Sequence, residues 1–408
     1  MTQAASTGAL AGLRVVDLTQ MLAGPFCTQV LADHGADVIK VEAMTGDGTR
    51  LTAPFCEDDT LREYGGYFQS VNRNKRSIAV DLKTAEGVAL VRKMIDGADI
   101  VVENFRAGVM ERLGLGWETL RESNPRLVYG TVRGFGDPRS GASPYADWPA
   151  YDVVAQAMGG MMGITGPDRQ TPMKIGPGVG DTIPALMLCI GILSAVHHVR
   201  ETGKGQFVDV AMTDAVLAMC ERIVYQTSYT GAVPGPEGNR HPLLCPFGLF
   251  RVRDGYVSIA VANDPLWEKL AAAIGRPELG TDPAFATNAA RVANMQQVID
   301  LLEGFTSVRT KEEIAGVLGG KVPFGPVCTS AEIFADPHYA VREMLVEVEQ
   351  PGSAQRVKIA GVPVKLSDTP GAVRRPAPML GEHTDEILLA SGYSRDDIDH
   401  LRAAGAVR

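Results

Sequence analysis

Residues 14–42 read RVVDLTQMLAGPFCTQVLADHGADVIKVE, and within them two short β-branched runs flank a helix-like segment. The runs are Arg14–Leu18 and Asp37–Glu42, and the segment is Pro25–Asp33. Proline suits the first position of a helix, and Gly35 stands where a left-handed residue commonly ends one. The stretch therefore predicts a β-α-β unit with parallel strands.

The same alternation continues through the first third of the chain. A strand is predicted over Ser77–Leu82, followed by Thr84 as the N-cap of a helix that runs to Asp96. Further strands are predicted over Ile100–Glu103 and Leu127–Val132. Strands that alternate with helices form a parallel sheet covered on both faces. The predicted fold class is therefore α/β, with a Rossmann-like large domain.

A second pattern begins beyond residues 231–248, a stretch dense in Gly, Pro and Asn. Two strand-like runs flank Asp254-Gly255, a strong hairpin signal, and an amphipathic helix is predicted over Pro265–Ile274. These features predict a smaller α+β domain. The predicted division is 1–224 for the first part of the large domain, 225–330 for the small domain and 331–408 for a C-terminal segment that returns to the large domain.

Composition favours a soluble cytoplasmic protein. The chain has 408 residues, of which 45% are hydrophobic and 21% charged, enough for a large core. Met1–Gly12 lacks the basic and apolar parts of a signal peptide. The longest apolar run, Ile183–Val196, is shorter than the roughly 20 residues of a membrane span and is predicted to be a buried helix. Six cysteines without a Cys-x-x-Cys pair indicate reduced thiols, and a net charge of −9 argues against nucleic acid as a partner.

Several common cofactor motifs are absent from the sequence. After the first predicted strand, residues 20–25 read QMLAGP where a dinucleotide-binding enzyme would have Gly-x-Gly-x-x-Gly, so a nicotinamide cofactor is disfavoured. The sequence has neither a P-loop nor a Gly-x-Ser-x-Gly elbow, and its seven histidines are dispersed. We therefore expect no metal ion.

A glycine-rich stretch, GPGVGD at residues 176–181, delivers the carboxylate of Asp181 to the start of an apolar helix. Aspartate is a favoured N-cap, and Pro184 in the first turn agrees with a purely structural role. A glycine-rich loop, however, costs backbone entropy and makes room, which a plain cap does not require. Near a helix N-terminus Asp181 is expected to be ionised at neutral pH and could act as a nucleophile. Both interpretations are open at this level.

Basic and amide side chains surround two of the predicted strands. NRNKR at residues 72–76 precedes one strand and Lys83 follows it, while Asn104, Phe105 and Arg112 follow another. The carboxyl edge of a parallel sheet is where open α/β folds bind ligands. These residues could hold a phosphorylated nucleotide, although charged runs also form solvated loops and Phe105 could be a core residue.

Six ordered motifs, spread over nearly the whole length, carry a resemblance to a known family. They are LAGLRVVDLT at residues 10–19, ADVIKVE at 36–42, NKRS at 74–77, VENF at 102–105, TGKGQ at 202–206 and LGEHT at 380–384. The chain resembles the family III CoA-transferases, also called the CaiB/BaiF family. This group includes formyl-CoA transferase, carnitine CoA-transferase and, as a divergent branch, α-methylacyl-CoA racemase.

The resemblance implies an interlocked homodimer in which each chain has a large Rossmann-like domain and a smaller one. It also implies an enzyme that moves coenzyme A from an acyl-CoA thioester to a free carboxylic acid, by way of an aspartyl anhydride and an aspartyl-CoA thioester. Coenzyme A is then part of a substrate, and no permanently bound cofactor is implied. The catalytic aspartate of the family falls on Asp181.

The contacts to CoA in formyl-CoA transferase carry over to three short segments of this chain. They are Met21, Leu22, Ala23, Val80, Leu82, Lys83, Asn104, Phe105 and Arg112. Two further contacts do not carry over, because Ala43 and Pro149 stand where that relative has an arginine and a lysine. The contacts at the adenine end of CoA are therefore expected to differ.

The acid substrate is suggested by fewer residues. The consecutive glycines of formyl-CoA transferase are absent, and Gly238-Asn239-Arg240-His241-Pro242 lies nearby instead. Arg240 and His241 could recognise the second carboxylate of a dicarboxylate such as succinate, malate or mesaconate, or they could be a loop arginine and a structural histidine.

The racemase branch uses a histidine where this chain has Tyr151. A phenol, with a reference pKa of about 10, is a poor base at neutral pH, and the transferases commonly have tyrosine there. Tyr151 is therefore a candidate substrate contact, and transferase is favoured over racemase. A CoA-binding protein without turnover is the third interpretation.

Overall fold

The unit expected from residues 14–42 is present in the computed structural model, which describes residues 8–408. The parallel strands β1 (Arg14–Asp17) and β2 (Asp37–Glu42) flank helix α1 (Ala23–Asp33). The helix thus begins two residues before the proline that was expected to start it. The absence of a signal peptide was inferred partly from residues 1–7, which lie outside the described residues.

Six parallel strands form the central sheet, in the order β3-β2-β1-β4-β5-β6. The strands beyond β2 are β3 (Arg76–Ala79), β4 (Ile100–Glu103), β5 (Val128–Arg133) and β6 (Gln206–Ala211). The order of the strands reverses between β1 and β4, and open α/β sheets bind ligands outside the carboxyl ends of the strands at such a point. The α/β part of the fold prediction is confirmed by this sheet.

Helices cover both faces of the sheet. The helices after α1 are α2 (Gly66–Asn72), α3 (Ala85–Asp96), α4 (Val109–Arg112), α5 (Trp117–Ser123), α6 (Asp152–Met158), α7 (Val179–Thr202), α8 (Met212–Met219) and α9 (Glu221–Thr230). Neighbouring residues of a strand point to opposite faces. In β5, Tyr129 packs on Trp117 of α5 with 6.3 Å between ring centroids, whereas a Cβ at Gly130 would lie 3.0 Å from Ile192 of α7.

Helix α7 contains the apolar run that was expected to be a buried helix. It packs against α1, β5 and β6, and Leu188 and Ile192 are fully buried there. Leu186 and Ile190 are exposed, so the helix is buried on one face only. By length and composition alone α7 could cross a membrane, and it is the one helix in residues 8–408 for which this holds.

The chain divides into two compact units. Unit one contains residues up to 161, residues 175–225 and residues 337–408, and unit two contains residues 162–174 and 226–336. The predicted division differs in three places: 162–174 was placed in the large domain, residue 225 in the small domain and 331–336 in the C-terminal segment. Residues 162–174 lie in unit two because hydrogen bonds join them to it. Arg169 donates to the carbonyl of Val233, and the amide of Gly238 donates to the carbonyl of Gly166.

Unit two is built on the hairpin signalled by Asp254-Gly255. Its three antiparallel strands are β7 (Phe247–Val252), β8 (Gly255–Ala260) and β9 (Phe324–Pro326). Its remaining helices are α10 (Asp264–Ala273), α11 (Asn288–Ala293), α12 (Met295–Thr306), α13 (Lys311–Leu318) and α14 (Ser330–Ala335). Phe250, Trp267 and Leu302 lie in the buried core of this unit.

The C-terminal residues complete unit one. They form α15 (Pro337–Val341), β10 (Leu345–Glu349), β11 (Arg356–Ala360), α16 (Thr384–Ala390) and α17 (Arg395–Ala403). Leu388 and Leu401 join the same buried cluster as Val16 of β1. The strand expected over Ser77–Leu82 ends at Ala79, because Val80 forms an antiparallel bridge with Val407 instead of continuing the parallel sheet.

Candidate active site

A buried ion pair anchors the β1–α1 loop, residues 18–22. Asp17 accepts hydrogen bonds from the amide and hydroxyl of Thr19, from the hydroxyl of Thr28 and, at 2.9 Å, from Nζ of Lys75. Both side chains of the Lys75–Asp17 pair are fully buried. Burial alone would raise the pKa of Asp17, but the charges of Lys75 and Lys40 lower it to about 2. Asp17 is therefore ionised and fully engaged.

The basic stretch at residues 72–76 belongs to this internal framework. Lys75 binds Asp17, and Arg73 pairs with Asp33 at 2.7 Å in a second buried ion pair. Its expected roles as a solvated loop or a phosphate site are wrong, because the nearby strands and α1 supply acidic partners for these cations.

Asn104 joins the β1–α1 loop to the segment after β4. Its side-chain amide accepts from the backbone N–H of Gln20 and donates to the carbonyl of Gln20, both at 2.8 Å. Met21, the next residue, is exposed and has a φ of 68°. The loop therefore presents Met21 at the point where the strand order reverses.

The backbone of Phe105 is held on both sides by one ion pair. Glu103 accepts from the Phe105 amide at 2.7 Å, and Arg133 donates to the Phe105 carbonyl at 2.9 Å. Arg133 and Glu103 are themselves joined at 2.7 Å across β4 and β5. The turn after β4 is thus fixed by buried charges.

The residues expected to contact CoA lie in three segments at the carboxyl edge of the sheet, after β1, β3 and β4. Met21, Lys83 and Arg112 are exposed, Leu22, Leu82, Asn104 and Phe105 are half-buried, and Ala23 and Val80 are buried. The side chain of Val80 is 1% exposed and lies in the core, so a ligand could reach only the backbone there.

Asp152 holds the glycine-rich stretch from a different helix. It is the first residue of α6, and its Oδ1 accepts a hydrogen bond of 2.7 Å from the amide of Gly180. A Cβ at Gly180 would lie 2.3 Å from the carbonyl oxygen of Asp152, so the close approach requires glycine. Gln156, fully buried, donates to both oxygens of Asp152 at 3.0 Å and accepts from the amide of Ile175 at 2.9 Å. Helix α6 therefore fixes both ends of the stretch.

Asp181 is the third residue of α7 and does not cap it. The N-cap is Gly178, which has no side chain with which to cap, and the Asp152 carboxylate binds an amide of the first turn instead. Within residues 8–408, no hydrogen bond or ion pair reaches the Asp181 carboxylate. The interpretation of Asp181 as an N-cap is therefore wrong.

The pKa of Asp181 is raised to about 7, first by burial and then by the charge of Asp152. Both effects act against the ionisation at neutral pH that was expected from the helix N-terminus. Tyr67 of α2 lies close enough to respond to the same charges. Burial, and then Asp181, raise the pKa of Tyr67 to about 12, so its phenol is protonated.

Gly178, the N-cap of α7, packs on the β1–α1 loop. A Cβ at Gly178 would lie 3.0 Å from Cδ2 of Leu22. Asp181, the candidate nucleophile, thus lies near the carboxyl edge of the sheet, as Leu22, Met21 and Asn104 do. One exposed neighbour, Tyr151, directly precedes Asp152 and has a side chain that is 64% exposed.

Arg240 and His241 lie in unit two and have local partners there. Arg240 donates to the carbonyl of Leu249 and approaches Glu303 at 3.6 Å. The His241 ring packs on Phe247 with 5.2 Å between centroids. These contacts favour the structural alternative that was left open for both residues. Among residues 8–408, no group of three or more His, Cys, Asp or Glu side chains is arranged to hold a metal ion.

Comparison with known proteins gives consistent matches. The model of CoA-transferase family III matches residues 10–384. A succinyl-CoA:mesaconate CoA-transferase of Haloarcula hispanica is 48% identical over 385 residues, which cover 94% of this chain and 97% of that protein. A succinyl-CoA–D-citramalate CoA-transferase of Chloroflexus aurantiacus is 38% identical and covers 96% of each chain. The crystal structure of a CaiB/BaiF family protein from Brucella suis matches with a TM-score of 0.83 at 38% identity, over 94% of this chain and 99% of that one.

Proposed function

This chain belongs to CoA-transferase family III, as its motifs predicted, and we propose that it passes CoA between two carboxylic acids through covalent intermediates on Asp181. It is an enzyme, and CoA thioesters are its substrates. The finer steps below are argued from the geometry of unit one.

The observation that carries the proposal is the isolation of the Asp181 carboxylate. It is half-buried, lacks hydrogen-bond partners within residues 8–408 and lies one helical turn from Gly178, which packs on Leu22 of the β1–α1 loop. A carboxylate that is partly shielded from water and has no hydrogen-bond donors lacks much of the solvation that would weaken it as a nucleophile.

In the proposed cycle, an oxygen of Asp181 attacks the thioester carbonyl carbon, the C–S bond breaks and CoA leaves as a thiolate. A mixed anhydride remains on the enzyme. The thiolate then attacks the aspartyl carbonyl, which releases the first acid and forms an aspartyl-CoA thioester. The incoming carboxylate attacks that thioester and releases CoA thiolate, which attacks the acyl carbon of the new anhydride. The new acyl-CoA leaves and the Asp181 carboxylate is restored.

Each addition step places negative charge on a carbonyl oxygen, which needs a hydrogen-bond donor. The backbone amides of residues 179–181 already donate to Pro177, Asp152 and Gly178, so they are engaged. The donor for this oxygen must therefore be a group other than these three amides.

We further propose succinyl-CoA as the donor and a dicarboxylic acid as the acceptor. The relatives from Haloarcula hispanica and Chloroflexus aurantiacus carry names with succinyl-CoA as one substrate and a dicarboxylic acid as the other. Tyr151, which directly precedes Asp152, is the residue proposed for a contact to the acid. The CoA moiety is assigned to the three carboxyl-edge segments described above.

The proposed assembly is an interlocked homodimer in the cytoplasm. Leu186, Ile190 and Leu193 form an exposed apolar stripe along α7, at spacings that place them on one face of the helix. A second copy of the chain would cover such a stripe.

The covalent step is tested by trapping. Succinyl-CoA followed by hydroxylamine should convert Asp181 to a hydroxamate, detected as a mass change on its peptide, while the peptide that contains Asp17 stays unmodified as an internal control. An unmodified Asp181 peptide across several acyl-CoA donors would favour a CoA-binding protein without turnover. Incubation of a 2-methylacyl-CoA in heavy water tests the racemase, since a transferase leaves the α-hydrogen in place.

A further inference from the structure

A cavity opens at the amino edge of the central sheet, where the parallel strands begin. Its volume is about 740 Å³, which lies within the range of cavities that bind small organic molecules. The first residues of three strands line it: Arg14 of β1, Asp37 of β2 and Arg76 of β3. Residues near the C-terminal ends of α3 and α16 line it as well. We call this space the amino-edge cavity.

The amino-edge cavity is separate from the candidate active site. The segments proposed to bind CoA follow β1, β3 and β4, at the carboxyl ends of the strands. A strand rises about 3.3 Å per residue, so Arg14 and Asp17, the two ends of β1, are about 10 Å apart. The residues proposed to contact CoA or the acid all lie within residues 8–408, and none of them lines the cavity.

Cations outnumber carboxylates in the lining of the cavity. The cations are Arg14, Arg76, Lys93 and Arg375, and the carboxylates are those of Asp37 and Glu386. Arg76 is buried and engages both carboxylates, with Nη2 at 2.6 Å from Asp37 and Nη1 at 3.0 Å from Glu386. Asp99 is bound to the backbone amide of Arg14 at 2.9 Å. The lining therefore has a positive net charge, in a chain whose net charge is −9.

The three remaining cations, Arg14, Lys93 and Arg375, are exposed. Within residues 8–408, no ion pair joins any of them to a carboxylate. Nζ of Lys93 lies 3.8 Å from the centroid of the Tyr393 ring, and Nη1 of Arg375 lies 3.5 Å from Nε2 of His383. Such contacts restrict the two side chains without neutralising them, so an anion that binds them orders less of the protein.

The cavity also has apolar lining residues. Met94 and Ile387 belong to the buried core of unit one, and Ile39 packs against that core. A carbon skeleton can pack on these side chains, whereas an inorganic anion has no apolar surface to offer them. The lining thus combines positive charge with apolar surface.

We propose that the amino-edge cavity binds an organic acid with two or more carboxylate groups. Guanidinium and ammonium groups bind carboxylates through charge-assisted hydrogen bonds, and a guanidinium can form two parallel bonds to one carboxylate. The apolar residues contact the carbon skeleton between the carboxylates. The inference goes beyond the proposed function, because it does not depend on covalent chemistry at Asp181.

Citrate is the probe, because its three carboxylates equal the three exposed cations in number, and titration calorimetry measures its binding. The double variant Arg14→Gln/Arg375→Gln should raise the Kd of citrate about 10- to 100-fold, because two charge-assisted contacts are lost. Lys93→Gln, a change on a different element, should raise it about 3- to 30-fold. The matched control is Arg92→Gln, which removes the cation next to Lys93 in α3 that does not line the cavity, and its Kd should stay within about twofold of wild type.

Two competition experiments use the wild-type protein. Saturating CoA should leave the Kd of citrate within about twofold, because the two ligands bind at opposite edges of the sheet. Sulfate at the same concentration as citrate should not displace it, because sulfate lacks the carbon skeleton. Displacement by CoA would place citrate at the carboxyl edge and overturn the proposal. Displacement by sulfate would show that charge alone attracts the anion, and the assignment to an organic acid would be wrong.

The variants can contradict the proposal as well. Absence of citrate binding to the wild-type protein overturns it, and so does wild-type affinity in both the double variant and Lys93→Gln. If citrate does not bind and the double variant changes the oligomeric state measured by light scattering, the cavity is a contact between copies instead. Citrate binding of the expected kind without any CoA transfer supports the cavity as a site and contradicts only the proposed function.

Discussion

Two carboxylates of unit one, Asp17 fully buried and Asp181 half-buried, have pKa values that are shifted in opposite directions. Asp17, at the end of β1, has a lysine at 2.9 Å and two threonine hydroxyls, and its pKa falls to about 2. Asp181, near the start of α7, has no hydrogen-bond partner within residues 8–408, has Asp152 as its charged neighbour, and its pKa rises to about 7. Burial acts to raise the pKa of both carboxyl groups, so the opposite directions come from their partners.

This difference separates a structural carboxylate from a reactive one. The lone pairs of Asp17 are occupied, and its charge is needed to balance Lys75, so reaction there would leave a buried cation. The lone pairs of Asp181 are available, and its charge is destabilised. No hydrogen bond within residues 8–408 occupies the oxygens of Asp181, so they can form a bond to an acyl carbon.

The largest effect is expected from Asp181→Asn, which keeps the shape of the side chain and removes the nucleophile. The rate of CoA transfer should fall by about 10⁴- to 10⁶-fold, as for other residues that form the covalent intermediate. Chromatography of succinyl-CoA and the product acyl-CoA after incubation with mesaconate measures this rate. Because no partner of Asp181 is left unpaired, folding and CoA binding should persist. Transfer within tenfold of wild type would show that the reactive group lies elsewhere.

The sheet could be predicted because its signals are local. The alternation of β-branched runs with helix-like segments, together with Gly35 and the N-cap Thr84, marks most of the boundaries, and Thr84 does accept a hydrogen bond from the amide of Gly87. Asp181 could also be singled out, because the glycines before it are adjacent in sequence.

The supporting residues of the site could not be predicted in this way. Asp152 acts on Gly180 across 28 positions, Arg133 on Glu103 across 30, and Lys75 on Asp17 across 58. Such pairs exist only once the sheet has brought distant segments together. The stretch at 72–76 was misjudged for this reason, since a run of cations gives no sign of the acidic partners that α1 and β1 place around it. The Asp at the start of α6 was visible in the sequence, but nothing local connects it to α7.

The second prediction concerns Asp17, whose carboxylate is paired with Lys75. Lys75→Met should leave Asp17 charged and buried without its main partner, at a cost of about 3–5 kcal/mol in the free energy of unfolding. Asp17 has a lowered pKa, so its contribution is present above the unfolded pKa of about 4 and is lost only as the pH falls towards 2. Urea unfolding at pH 7 therefore measures the full effect.

The control for Lys75→Met is the double variant Lys75→Met/Asp17→Asn, which removes both charges. It should lose less stability than the sum of the two single variants, because the buried charge left by either one alone is gone. Strict additivity would mean that the two side chains contribute independently, and the contrast drawn between Asp17 and Asp181 would then have no basis in charge pairing.

The smallest effect tests the charge beside Asp181. A carboxyl group with a raised pKa reacts only when ionised, so transfer should increase with pH through about 7 in the wild-type enzyme. Asp152→Asn removes the neighbouring charge, and the acidic limb of the rate profile should move to lower pH. The shift is partial, because burial is the larger cause of the raised pKa and is unchanged. The asparagine oxygen can still accept from Gly180 and from Gln156, and only the bond from Gln156 to the replaced second oxygen is lost. Gln156→Leu is the control, since it removes that bond, together with the other bonds of Gln156 to Asp152 and Ile175, and leaves the charge of Asp152. Its profile should keep the wild-type midpoint even if its rate falls. If both variants shift the limb equally, the position of the loop and not the charge of Asp152 governs the ionisation of Asp181.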